Sequence, residues 1–142
     1  MLFAILIRAD ADTEAGKLPD TSLLTAMTAF NKTLVEAGIL ITGDGLTPSS
    51  EGARLSFSGG ASPPTITNGP FPVQELVCGF WLLDCKDLEE AVGWMEKCPM
   101  GKGAVIEIRP GYRAEDFGDA LTDELRREEE ELRKGELLSR KV

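Results

Sequence analysis

Residues 67–84, "TNGPFPVQELVCGFWLLD", set a turn, Asn68-Gly69-Pro70-Phe71, a few positions ahead of a run that is apolar on both of its alternating faces. Successive side chains of an extended chain point to opposite sides, so Leu76, Cys78, Phe80 and Leu82 share one face and Val77, Gly79, Trp81 and Leu83 the other. A strand of that kind is covered twice. Residues 2–8, "LFAILIR", repeat the pattern, so the fold must supply a helical layer for one side of these strands and something further for the other.

The flanking elements supply the helices. Asp20 or Thr21 can cap a helix with Leu23, Leu24, Met27, Phe30, Leu34 and Val35 at helical spacing, stopped by Gly38. Residues 39–43, "ILITG", and 53–59, "ARLSFSG", read as strands, and "GGASPP" is a breaker-rich loop before a short extended "TIT". Asp87, with Glu90 three positions on, caps a second helix whose buried stripe is Leu88, Ala91, Val92 and Met95, and "GAVIEIR" (103–109) is the last strand. The order predicts an α+β, ferredoxin-like split βαβ fold with four or five strands and two helices on one face. Two helices cover one face, and the other exceeds the exposed apolar area monomers tolerate. It is therefore expected to meet the sheet of a second copy, giving a homodimer with a cavity between the sheets.

From Ala114 the composition changes to a charged helix in which Phe117, Leu121, Leu125 and Leu132 lie on one side, with Glu129–Arg133 and Glu130–Lys134 at i,i+4. This divides the chain into a domain over residues 1–112 and a C-terminal helical extension over 113–142 that packs on a neighbouring subunit.

Composition excludes several functions. Twenty-four acids against fifteen bases give a net charge of −9, which repels nucleic acid and anionic membrane surfaces. No apolar run reaches the ~20 residues that span a bilayer, and the start meets Arg8 and Asp10 too early for a secretory signal, so a cytoplasmic protein is expected. The odd set Cys78, Cys85 and Cys98 reads as reduced, buried thiols. There is no histidine, which removes histidine triads and the commonest zinc ligand, and neither a metal nor a cofactor is expected.

With the order of elements in place, the chain resembles the YCII-related domain family, in particular the branch named for an Asp-Gly-Pro-Phe turn. The residues that carry the resemblance are that turn as Asn68-Gly69-Pro70-Phe71, "GDGLTPSS" (43–50), "GFWLLD" (79–84), Cys98-Pro99, "IEIRP" (106–110) and "AEDFGDALTDELR" (114–126). It implies a dimeric α/β barrel with a pocket between sheet and helices. Some relatives carry a His and Asp pair; this chain has no histidine, and after the turn it keeps Glu75 but replaces the other charged positions with "PVQ".

The candidate site residues follow from chemistry and position. Asp44, flanked by Gly43 and Gly45 where bare backbone lets a ligand approach, is a pocket general base or a turn aspartate bonding its own backbone. Glu75 enters an apolar strand, where it is a proton donor or a salt-bridge partner of Arg109 or Arg8. Arg8 and Arg109 end the first and last strands and can hold a carboxylate or enolate oxygen, or pair with Glu107, Asp84 or Asp116. Trp81 and Phe71 stack on an aromatic ligand or fill a dimer core, Tyr112 is a candidate acid, and Asn68 lies in the turn that holds the strand lip in place. Two readings remain open. One is a cofactor-free dimeric-barrel enzyme doing acid-base chemistry, by isomerisation, dehydration or cyclisation, on a small carbonyl or aromatic compound. The other is a non-catalytic module that binds a hydrophobic metabolite or serves as a scaffold.

Overall fold

The computed structural model describes residues 1–134. Its elements are β1 (Leu2–Arg8), α1 (Ala11–Glu14), α2 (Thr21–Glu36), β2 (Leu40–Gly45), β3 (Ala53–Ser56), β4 (Thr65–Asn68), β5 (Val77–Asp84), α3 (Leu88–Met95), β6 (Ile106–Pro110) and α4 (Asp123–Leu132), with 3-10 turns at Ser49–Glu51, Val73–Glu75 and Ala114–Ala120. Four strands form one antiparallel sheet in the order β2-β5-β1-β6. β5 lies between the parallel β1 and β2, and β1 between the parallel β5 and β6, which is the split βαβ, ferredoxin-like arrangement.

Both crossover helices pack on the same side. Phe3 and Ile5 of β1, Trp81 and Leu83 of β5, Phe30 and Leu34 of α2, and Ala91 and Met95 of α3 are buried together. Phe3, Ile5, Leu34 and Leu83 are fully enclosed, and burial of each such side chain contributes about 1.5–3 kcal/mol. The space between sheet and helices, where the family resemblance put a pocket, is thus filled by core side chains. Asp20 caps α2 by accepting from the Leu23 N–H at 2.8 Å, and Asp87 caps α3 by accepting from the Glu90 N–H at 2.9 Å. The Glu90 carboxylate accepts from the Lys86 N–H, one residue before the expected donor.

Several expectations shift. On α3 only Ala91 and Met95 are buried; Leu88 and Val92 face outward because the eight-residue helix presents one narrow line to the sheet. "ARLSFSG" does not join the main sheet but pairs with "TIT" in a separate two-stranded hairpin, β3–β4. Beyond β6, Phe117 and Leu121 precede the helix, because the chain breaks at Gly118 (φ 55, ψ −141) and α4 starts only after the Thr122 cap. The Glu129–Arg133 pair forms at 3.8 Å, while the last part of the expected extension, residues 135–142, lies outside the described residues.

Candidate functional site on the open face of the sheet

The helix-free face of the sheet carries two rows of side chains fixed by strand register. One runs Asp44, Phe80, Leu6, Glu107 and the next Thr42, Leu82, Ala4, Arg109. Its centre is uncharged, and its charges sit on the two edge strands: Asp44 on β2, Glu107 and Arg109 on β6. With strands ~4.8 Å apart, Asp44 and Glu107 are separated by roughly 14 Å across the face. An apolar floor bordered by charge suits a small, flat, partly apolar molecule once the face is covered.

At one end of this face three loops are tied together. The carboxylate of Glu14, from the short α1, accepts from the Ser49 N–H at 2.6 Å and from the Ser49 hydroxyl at 2.7 Å. The same hydroxyl oxygen accepts from the Phe71 N–H at 2.9 Å, and the Gly69 N–H donates to the Gly52 carbonyl at 3.0 Å. Gly69 lies so close to the Ser49 carbonyl that a Cβ would fall 1.8 Å from its oxygen. The turn is therefore keyed into the loop after β2 by close backbone approach. The hydrogen bonds from the Ser49 side chain and then its backbone hold the Glu14 carboxyl below its ordinary value of 4.5.

That shift makes the clamp pH-sensitive. A carboxyl with a folded-state pKa below its unfolded one adds stability above the unfolded value, which is lost as pH falls through the folded value. The wild type should thus exceed Glu14→Gln in denaturant midpoint at pH 7, and the gap should shrink at pH values below the ordinary carboxylate range. Equal gaps at both pH values would show that the carboxylate charge is irrelevant to the clamp.

The candidate residues are distributed as follows. Asp44 is exposed and accepts from the Gly45 N–H at 3.0 Å, and the place a Gly43 side chain would take belongs to the Trp81 ring, 2.5 Å away, rather than to a ligand. Glu75 pairs at 3.0 Å with Arg54, and not with Arg8 or Arg109. Arg8 donates to the Gln74 carbonyl, and Arg109 pairs with Glu107 at 3.4 Å. The two arginines do not converge: β1 and β6 are antiparallel, so Arg109 lies opposite Ala4, about 13 Å along the strand from Arg8. Trp81 is buried on the helix side, edge-on to Phe30 at 5.8 Å and donating to Asn31 Oδ1 at 2.8 Å. That places it outside both a ligand stack on the open face and a dimer core. Phe71 is half-buried under the Arg54 guanidinium, 4.0 Å from its ring centre. Asn68 ends β4 opposite Ala53, and Tyr112 is 80% exposed beside Phe117.

Sequence reasoning missed Glu14, Ser49 and Arg54. Ser49 stood inside "GDGLTPSS", a visible signal; Glu14 and Arg54 are ordinary surface charges whose partners lie 35 and 21 residues away. The thiols are poor nucleophiles: burial pushes up Cys78 and Cys85, and Cys98 to about 11. Among the described residues no group of three or more His, Cys, Asp or Glu is arranged to hold a metal, and no helix is long and apolar enough to cross a membrane.

Compared with known proteins, residues 1–113 match the YCII-related domain. The chain belongs to the YCII-related domain family. An uncharacterised protein of Rhizobium meliloti (strain 1021) is 33% identical over 115 residues, spanning 78% of this chain and 91% of its own. Among solved structures, 5-chloro-2-hydroxyhydroquinone dehydrochlorinase from Burkholderia phenoliruptrix AC1100, in complex with 2,5-dihydroxybenzoquinone, is 14% identical with a TM-score of 0.38, covering 80% of this chain and 96% of that one. Two of the motifs that carried the resemblance to the YCII-related family meet in space. "GDGLTPSS" supplies Asp44 and Ser49, and the Asn-Gly-Pro-Phe turn is locked to Ser49.

Proposed function

We propose that this YCII-related protein is a cofactor-free enzyme that works as a homodimer, doing acid-base chemistry on a small carbonyl or aromatic compound held on the open face of the sheet. The observation that carries this reading is Asp44, an acid in line with Phe80 and Leu6 at the rim of an uncharged floor. Covering the floor with a second copy would exclude water and leave Asp44 as the group placed to take a proton from carbon. Arg8, at the end of β1, is the candidate partner for the oxygen that gains charge as the proton leaves. Glu75, held by Arg54 at 3.0 Å, is a second candidate carboxylate, which can return a proton only after taking one up from solvent or substrate. Arg109 serves the far edge. Isomerisation, dehydration and cyclisation all need this pair of proton transfers.

The same reading treats residues 1–112 as the catalytic domain and 113–142 as a charged extension that docks on the neighbouring subunit; the outward-facing Phe117, Leu125 and Leu132 support it. Three free cysteines fit a cytoplasmic home.

A second reading, a non-catalytic binding or scaffold protein, is favoured by one observation. Two of the four candidate charges, Glu75 and Arg109, are already neutralised by Arg54 and Glu107. The test separates the two without a known product: small cyclic carbonyl compounds in deuterated water are followed for proton exchange at carbon. Asp44→Asn should slow exchange by roughly a hundredfold or more while the dimer persists, and Glu75→Gln should slow the return step comparably. Wild-type exchange in both variants removes carboxylate catalysis and leaves binding.

A further inference from the structure

Every residue of the two strands of the β3–β4 hairpin is exposed, so its apolar face lies uncovered in a free chain. Arg54 and its cross-strand neighbour Thr67 share one face, and Arg54 reaches back to Glu75 and the Phe71 ring of its own chain. By alternation the other face carries Ala53, Leu55, Ile66 and Asn68, and next in line Phe57. Leu55, Ile66 and Phe57 are 53%, 66% and 77% exposed. A soluble hairpin with one polar and one apolar face ordinarily buries the apolar one. A lone two-stranded hairpin is also marginal in water, and this one pairs with no strand of the main sheet.

We infer that the Leu55–Ile66–Phe57 face of this hairpin docks on a second copy of the chain, so that each copy's hairpin borders the open sheet face of the other and brings Asn68 to the shared site. This rests on the homodimer reading above and extends it to a cross-subunit contribution. Charge argues for a second copy. At a net charge of −9 two copies repel unless they meet through uncharged surface, and both the outward hairpin face and the centre of the open sheet face (Leu6, Phe80, Leu82) carry no charge. Area argues the same way. Four strands ~4.8 Å apart and about six residues long give a sheet footprint of roughly 400 Å², about half of the ~800 Å² per partner typical of a stable interface. The hairpin is the further uncharged surface on the same chain, and a two-fold operator covers both surfaces on both copies at once.

The experiment measures dimer dissociation of the full chain by sedimentation at several concentrations. The variants are Leu55→Asp/Ile66→Asp, Phe57→Ser, and the polar-face control Thr65→Asp. The wild type should sediment at twice the 15.3 kDa chain mass. The double variant should weaken the dimer by on the order of a hundredfold, since two charges would be buried in an apolar contact. Phe57→Ser should weaken it about tenfold, and Thr65→Asp should leave it unchanged. Circular dichroism should show the double variant folded, because neither side chain touches the core; if it unfolds, Phe57→Ser decides. A wild-type dimer whose dissociation is the same in the double variant and in Phe57→Ser, or weakened equally by Thr65→Asp, overturns the hairpin contact while leaving the homodimer standing. A wild-type monomer overturns both.

Discussion

Gly69→Ala should destabilise the protein by about 3 kcal/mol or more, the range reached when a new atom is forced into packed backbone. The added Cβ would sit 1.8 Å from the Ser49 carbonyl oxygen and 2.6 Å from its carbon. Backbone cannot yield as a flexible side-chain tip can, so the turn or the Ser49–Glu51 loop must move. Movement breaks the Phe71 N–H bond to Ser49 and with it the link to Glu14. Thermal melting of the variant is the direct measurement, with a fall in Tm of ~10 °C or more expected for a chain of this size. A melting temperature within 2–3 °C of wild type, a shift of under about 1 kcal/mol, would mean that turn and loop are not keyed together. Asn68→Asp, which restores the residue of the branch's usual turn, should by contrast be nearly neutral in stability, because Asn68 is exposed.

Trp81→Ala should cost about 3–5 kcal/mol, as large aromatic deletions in a packed core do. Trp81 is 6% exposed, stands edge-on to Phe30 and donates to Asn31, so its removal leaves a cavity under α2 and an unpaired amide oxygen. The conservative Trp81→Phe should cost less, losing chiefly the Asn31 hydrogen bond, worth about 1 kcal/mol. A ligand-stacking residue on the open face would behave otherwise: Trp81→Ala would then leave the denaturation midpoint near that of wild type and abolish ligand binding. Urea denaturation of both variants discriminates, and an undisturbed midpoint for Trp81→Ala would refute its place in the core.

The two substitutions mark what each level of structure decides. Sequence alone determined the order of the strands and crossover helices that make the main sheet, and pointed to where those helices begin. Alternation in β5, the 3.6-residue spacing in α2, and Asp20 and Asp87 at helix starts are local signals, fixed by backbone geometry within a few residues. It also determined that both faces of β1 and β5 are apolar, and hence that one helical layer is too few. The motifs identified the family because they record several such local constraints together.

Which face Trp81 occupies was not legible, because both faces of its strand are equally apolar and only the packing of Phe30 and Asn31 from α2 selects the helix side. Nor was the separation of Arg8 from Arg109: each ends a strand, but the antiparallel pairing of β1 with β6 sends those ends in opposite directions. The pairing of Glu75 with Arg54 and the Glu14–Ser49–Phe71 clamp join residues distant in the chain, and charge and hydrogen-bonding capacity carry no address for a partner. Asp44 was picked out from its flanking glycines, but its alignment with Phe80 and Leu6 on the uncovered face came from strand register. A register is a relation between segments, and only the folded chain, weighing all its packing at once, sets it.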